Sequence, residues 1–201
     1  MPIKGIYSGL GGLADVGSTA SNGFLGQWDD LQGPVSQAGG VTALTFEQYR
    51  DTPFLAYHMR HDQDDTLYYT FQLKHAWKRG TSAHLHVHYT PLATWTPGDA
   101  VKYVGWEVSH FWTTSGLEVP VATSWTTTPV QMPVYPTDQF KLLLFELIDF
   151  APPETAKESS LVLVRIKRLG STGITDTYNV NKTGGTTAAN LAVWDFDMHI
   201  Q

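Results

Sequence analysis

The stretch GTSAHLHVHY (residues 80–89) places His84, His86 and His88 at every second position. Near the other end, WDFDMHI (194–200) does the same with Asp195, Asp197 and His199. On an extended strand, residues two apart share a face. Each segment therefore offers one face of imidazoles and carboxylates, with Leu85, Val87 and Tyr89 opposite in the first and Trp194, Phe196, Met198 and Ile200 opposite in the second. The chain has no cysteine, and without it imidazole and carboxylate are the natural ligands for zinc, iron, nickel or manganese. His86, His88, Asp197 and His199 are the candidate metal ligands, with His75 and His84 as further candidates, and zinc or iron is the expected ion. A competing reading needs no ion: Asp–His pairs, hydrogen-bonded to one another, would fix strand or subunit register. Burying such groups unpaired is costly, so they must be solvated, paired or metal-bound.

Other chemistry has less support. A metal-dependent cupin is the enzyme that HxH on a barrel strand suggests, but its pattern closes on a glutamate a few residues later. Here YTPLATW follows His88, and a glycine–proline–histidine second motif is absent. There is no GxSxG, no phosphate-binding glycine loop and no HExxH. Asp62, Asp64 and Asp65 in RHDQDD lack the spacing and the closing glutamate of a calcium loop, and read as a solvated acidic turn. Glu107 and His110 are an odd number of residues apart, which puts them on opposite faces of a strand and argues against an acid–base pair. Trp95, Trp106, Trp112 and Trp125 could stack on sugars, although core packing explains most tryptophans in a β-sandwich. No catalytic residues are assigned.

The elements that must position these residues are strands. TLYYTFQLKHAW (66–77), AHLHVHYT (83–90), AVKYVGWEVSHFW (100–112), SLVLVRIKRL (160–169) and NLAVWDFDMHI (190–200) are rich in aromatic and β-branched residues, and QFKLLLFELIDF (139–150) reads as a strand or a short helix. Clusters of Pro, Gly and Thr separate them, among them VPVATSWTTTPVQMPVYPTD (119–138). The expectation is an all-β chain, an antiparallel β-sandwich or jelly roll over residues 46–201. Residues 1–45 read as an extended glycine-rich arm for docking, since eight of the 18 glycines fall in the first 33 residues. Phe24, Leu25, Trp28 and Leu31 are its candidate anchors. The net charge of −6 and scattered lysines and arginines give no support to nucleic-acid binding. The longest apolar run, LLLFELIDFA (142–151), carries Glu146 and Asp149, so no membrane span is expected. MPIKGIYSGLGGLADVG (1–17), broken by glycines and without a continuous apolar stretch, is not expected to be a signal peptide. Charged residues are only 16% of the chain; with the arm, this points to an oligomer, with a homotrimer expected.

FQLKHAWKRGTSAHLHVHY resembles the signature of a family of uncharacterised tailed-bacteriophage structural proteins. In that family a strand runs into proline–histidine and an aromatic, then a K-x-G-(S/T) turn, then HxH and an aromatic. His75, Gly80, Thr81, His86, His88 and Tyr89 fall on that pattern. WDDL (28–31), GWEVS (105–109), LVRIKR (163–168), DTY (176–178) and the closing DMHIQ (197–201) are similar in the same order. The chain departs from the pattern at Lys74, where proline is usual, at Ile200, where an aromatic is usual, and in its additional His84. The resemblance implies a non-enzymatic virion component, in capsid decoration, neck or tail and adsorption appendage, assembled in the host bacterial cytoplasm with other virion proteins as partners. By analogy with phage spike tips, HxH histidines from three chains would hold an iron ion. The alternatives are a metal-dependent cupin-like enzyme and a carbohydrate-binding module for a host surface glycan.

Overall fold

Alternating apolar and polar residues bury one side of each strand, and two such sheets close on each other. The computed structural model describes residues 29–32, 35–36, 44–74, 77–93, 100–116, 125–170, 176–178 and 190–200. The front sheet runs in the order β3 (Thr45–Gln48), β4 (Leu55–Met59), β11 (Leu191–Ile200), β6 (Ala83–Pro91) and β9 (Leu143–Phe150). β1 (Asp29–Gln32) continues the β4 side of β11, facing its last residues. The back sheet runs β2 (Val35–Ser36), β5 (Thr66–Gln72), β10 (Leu161–Arg168), β7 (Lys102–Thr113) and β8 (Thr126–Val134). Every pairing between these strands is antiparallel. Apart from the β3–β4 and β7–β8 hairpins, the chain from β3 onward crosses between sheets at each connection, so the expected antiparallel sandwich is the fold.

The core lies between the sheets. Leu85, Val87, Tyr89, Phe196, Met198 and Ile200 from the front meet Tyr69, Phe71, Trp106, Val108, Val162 and Val164 from the back in one buried cluster. Phe196 takes the edge of Tyr69 at 5.3 Å and of Trp106 at 6.1 Å between ring centroids, an arrangement aromatic quadrupoles favour.

Four expectations change. Part of the proposed arm belongs to the sandwich: β1 pairs with β11, β2 pairs with β5, and Leu31 is buried in the core. The boundary at residue 45 thus falls inside the fold, while residues 1–28, with Phe24, Leu25 and Trp28, lie outside the described residues. Second, the proline-rich separator contains β8, whose Pro129 and Pro133 are tolerated because β8 is an edge strand needing ladder bonds on one side only. Third, the acidic turn is not wholly solvated. Asp65 is buried, accepts hydrogen bonds from Arg60 and Gln63, and Asp64 pairs with Lys167 Nζ at 2.8 Å. Burial pushes the Asp65 carboxyl up, against the pull of Arg60. Fourth, Trp194 is not on the core face, as described below.

Several motifs that carry the phage resemblance prove to be fold contacts. Arg168 is fully buried and donates to Asp176 Oδ2 (2.9 Å), the Met59 carbonyl (2.7 Å) and the Tyr178 carbonyl (3.1 Å). LVRIKR and DTY therefore meet in one buried ion pair. Arg165 of the same strand donates to Glu107 (2.8 Å) and Ser109 (2.7 Å) of GWEVS on β7.

Candidate functional site

The histidine strand lies beside the Asp–His strand. In the β6–β11 register His84 faces His199, His86 faces Asp197, and His88 faces Asp195. Leu85, Val87 and Tyr89 are buried in the core, so the three histidines of β6 stand on the outer face of the front sheet, as alternation requires.

On β11 alternation breaks once. The register slips between Val193 and Asp195, a β-bulge in which Trp194 is the extra residue. Val193 and Phe196 both point into the core, and Trp194 turns outward with Asp195. Its Nε1 donates to Thr90 Oγ1 (2.9 Å), and its ring meets Tyr49 at 4.8 Å. The expectation that Trp194 shares the face of Phe196 fails for this reason.

A second bulge adds two groups that sequence reasoning did not assign to the site. Between the pairs Leu85–Ile148 and His86–Glu146, β9 carries Leu147 as an extra residue. Glu146 and Asp149, three apart, thereby join the outer face, where strict alternation would separate them. His84 Nδ1 lies 2.5 Å from Asp149 Oδ1 and 3.7 Å from Glu146 Oε1. Glu146 Oε2 in turn lies 3.5 Å from His86 Nε2.

The result is a ladder of acids and imidazoles across three strands. Asp197 is its centre: Oδ2 takes His199 Nε2 at 2.9 Å, and Oδ1 lies 3.2 Å from His88 Nε2 without hydrogen-bond alignment. The His86 and His199 rings stand edge to face at 4.0 Å. The ligand atoms of His86, Asp197 and His199 lie within 4.8 Å of one another, as do those of His84, Glu146 and Asp149. Of the four primary metal candidates, three meet in one cluster and His88 is reached through Asp197. His84 belongs to the second cluster, and His75 lies outside the described residues. No strand of the front sheet carries a lysine or arginine.

Burial tunes the ladder. His86 is only 6% exposed; this desolvation, with the charge of His199, lowers its pKa against Glu146 and Asp197. Burial likewise raises Asp195, helped by Asp197, although the Phe196 amide donates to its carboxylate at 2.8 Å.

Above the ladder lies an open groove of about 700 Å³ lined by Phe54, Leu142, Leu144 and Trp194, with His88, Asp195, Asp197 and His199 as its polar part. Phe54 and Leu142 are exposed (65% and 66%). Glu107 and His110 lie apart, as expected: Glu107 pairs with Arg165, whereas His110 sits on the Phe150 ring at 4.3 Å. Trp106 is fully buried and Trp112 packs against the core, while Trp95 lies outside the described residues. Trp125 stacks edge-on against Phe111 at 4.8 Å, on the back sheet rather than at the groove.

No protein-family model matches the chain, and no curated protein matches it either. Among solved structures it is similar to one described as "Structural basis for the promiscuous specificity of the carbohydrate-binding modules from the beta-sandwich super family". The identity is 11% and the TM-score 0.30, with 90% of this chain and 60% of that chain covered. The chain thus spans less than two thirds of the length of that structure. Among the described residues no helix is long and apolar enough to cross a membrane.

Proposed function

We propose that this β-sandwich is a non-enzymatic binding component of a bacteriophage particle, whose front groove takes a hydroxyl-rich ligand of the glycan class. The observation that carries the binding reading is the groove itself. It combines exposed Phe54, Leu142 and Leu144 and the half-buried Trp194 with carboxylates and imidazoles (Asp195, Asp197, His88, His199). Sugar rings offer apolar C–H faces to aromatic side chains and hydroxyls to carboxylates, and a site for them needs both kinds of surface together. The virion setting rests on the sequence resemblance, in decoration, neck or tail. Association as a homotrimer with other virion proteins as neighbours belongs to the same proposal.

The histidines of β6 face outward, away from the core in which Leu85, Val87 and Tyr89 pack, and so lie beside the groove.

The test is a glycan panel, including bacterial surface polysaccharide fragments, probed with wild type, Phe54→Ala and Asp195→Asn. Phe54 is exposed, so its truncation leaves the fold intact. At least one glycan should bind, and each substitution should weaken it by about tenfold, a loss of roughly 1.4 kcal/mol. No binding across the panel, or binding indifferent to both substitutions, would remove the glycan reading.

A further inference from the structure

We infer that His86, Asp197 and His199 hold one divalent transition-metal ion of the zinc class at the floor of the groove, with Glu146 orienting His86 from behind. This goes beyond the glycan reading and stands whether or not a glycan binds.

Three observations converge. The ligand atoms of the three residues lie within 4.8 Å of one another. Bonds of about 2.1 Å to one ion require separations of about 3.4 Å, a change within reach of small side-chain rotations. Asp197 and His86 are each 6% exposed, so two of the three are held by packing rather than loose on the surface.

The state of the His86 ring is the second observation. Its Nε2 faces Glu146 Oε2 at 3.5 Å, while Nδ1 is buried with no hydrogen-bond partner among the described residues. Buried polar atoms are nearly always satisfied, and an imidazole with a carboxylate at one nitrogen and nothing at the other matches the arrangement that orients metal-binding histidines. A metal-free hydrogen-bonded cluster, the rival reading, gives no use to that nitrogen.

The third is the donor set and its electrostatics. Two imidazoles and one carboxylate select transition metals over magnesium or calcium, which prefer all-oxygen sites. The strands around the site bring Asp195, Glu146 and Asp149 and no lysine or arginine, so the field favours a cation. Three protein ligands leave at least one position for water or another oxygen. Asp197 and His199 line the groove with His86 buried beneath, so that position opens to the groove.

The experiment uses the full chain, stripped with chelator and passed through a metal-free column. Titration with Zn²⁺ by calorimetry, metal analysis after desalting, and the visible spectrum after Co²⁺ loading give three readouts. Expected are one ion per chain, a Co²⁺ spectrum of a low-coordinate nitrogen–oxygen site, and a rise in melting temperature on adding Zn²⁺. His199→Ala, at a half-buried position, should weaken Zn²⁺ by at least 100-fold. Glu146→Gln should weaken it by about 10–100-fold, as loss of an orienting carboxylate does. His84→Ala should leave the affinity within about threefold. Retention of less than a tenth of an ion per chain would overturn the inference. So would an affinity lost in His84→Ala but kept in His199→Ala, which would move the ion to the neighbouring cluster. Each variant's melting curve without metal shows whether it is folded, so loss of binding cannot be mistaken for loss of fold.

Discussion

Replacing Arg168 with methionine should damage the sandwich far more than the same change at Arg165, three residues away on the same strand. Both arginines pair with a carboxylate at nearly the same distance, 2.9 Å to Asp176 and 2.8 Å to Glu107. They differ in surroundings. Both side chains of the Arg168–Asp176 pair are fully buried, whereas those of Arg165 and Glu107 are 32% and 29% exposed. Arg168→Met leaves a buried carboxylate without its partner and strips donors from the Met59 and Tyr178 carbonyls. Breaking one partner of a buried pair costs about 3–5 kcal/mol. The partly exposed pair is screened by solvent and contributes about 0–1 kcal/mol. For a chain of this size each kcal/mol moves the melting temperature by roughly 2–4 °C, so Arg168→Met should melt roughly 6–20 °C below wild type and Arg165→Met within about 4 °C. The double variant Arg168→Met/Asp176→Leu should recover part of the loss, because it removes the orphaned charge but not the orphaned carbonyls. Thermal melts followed by circular dichroism decide it. Equal drops at the two arginines, or no recovery in the double variant, would refute the claim that burial sets the cost.

Two further outcomes follow from the geometry. Gly170→Ala should cost about 1–3 kcal/mol, because a Cβ there would meet the carbonyl oxygens of Gln63 and Arg60 at 2.5 and 2.7 Å; an unchanged urea midpoint would show that the turn at 60–63 yields freely. Burial lowers the imidazoles of His58, His86 and His110, so the folded state holds them neutral while the unfolded chain binds protons near pH 6.5. Their stabilising effect is full above that pH and declines as pH falls through the lower folded values, with Asp65 and Asp195 opposing at more acid pH because burial raises them. His110→Leu, which removes a ring whose Nδ1 is buried without a partner among the described residues, should therefore shrink the loss of melting temperature between pH 7.5 and pH 5.5; an identical loss would exclude His110 as a contributor.

The strand face at 83–89 was readable because β6 runs without an extra residue, so period two carries from Ala83 to Tyr89. The outer positions of Asp195, Asp197 and His199 were readable for the same reason, since the bulge lies before them. The inward turn expected of Trp194 failed because a bulge at a non-glycine residue leaves no sign in the sequence; it is set by how two strands match their inner faces. Glu146 and Asp149 were hidden the same way, three apart across the bulge at Leu147. The groove was out of reach for another reason: Phe54, Leu142 and Leu144 come from segments distant in sequence from β11. β8 was missed because prolines argue against a strand unless it is known to be an edge, and edge status is a property of the whole sheet.

The molecule contains its own comparison for deciding whether the ladder of imidazoles and carboxylates is a requirement of the fold. Both sheets close on the same core and each has an outer face to fill. The outer face of the back sheet is built from ordinary means: Thr66, Tyr68 and Thr70 on β5, Leu163, Arg165 and Lys167 on β10, and Glu107 and Ser109 on β7, with opposite charges paired as Arg165–Glu107 and Lys167–Asp64. Long cationic side chains suit such a face because they keep their polar ends in water, and the buried Ser109 hydroxyl is satisfied by Thr127 and Arg165. The front sheet, under the same geometric demands, carries His58, His84, His86, His88 and His199 with Glu47, Glu146, Asp149, Asp195 and Asp197, and none of its strands has a lysine or arginine to neutralise them. Two of these groups, His86 and Asp197, are buried at 6% exposure, and for His86 that burial works against the charged imidazole. The back sheet closes on the same core without such a ladder. The two bulges that bring Trp194, Glu146 and Asp149 to the same surface act in the same direction, adding groups to the front face at the expense of regular pairing. Since the fold does not require this chemistry, the front face is where a ligand should be sought.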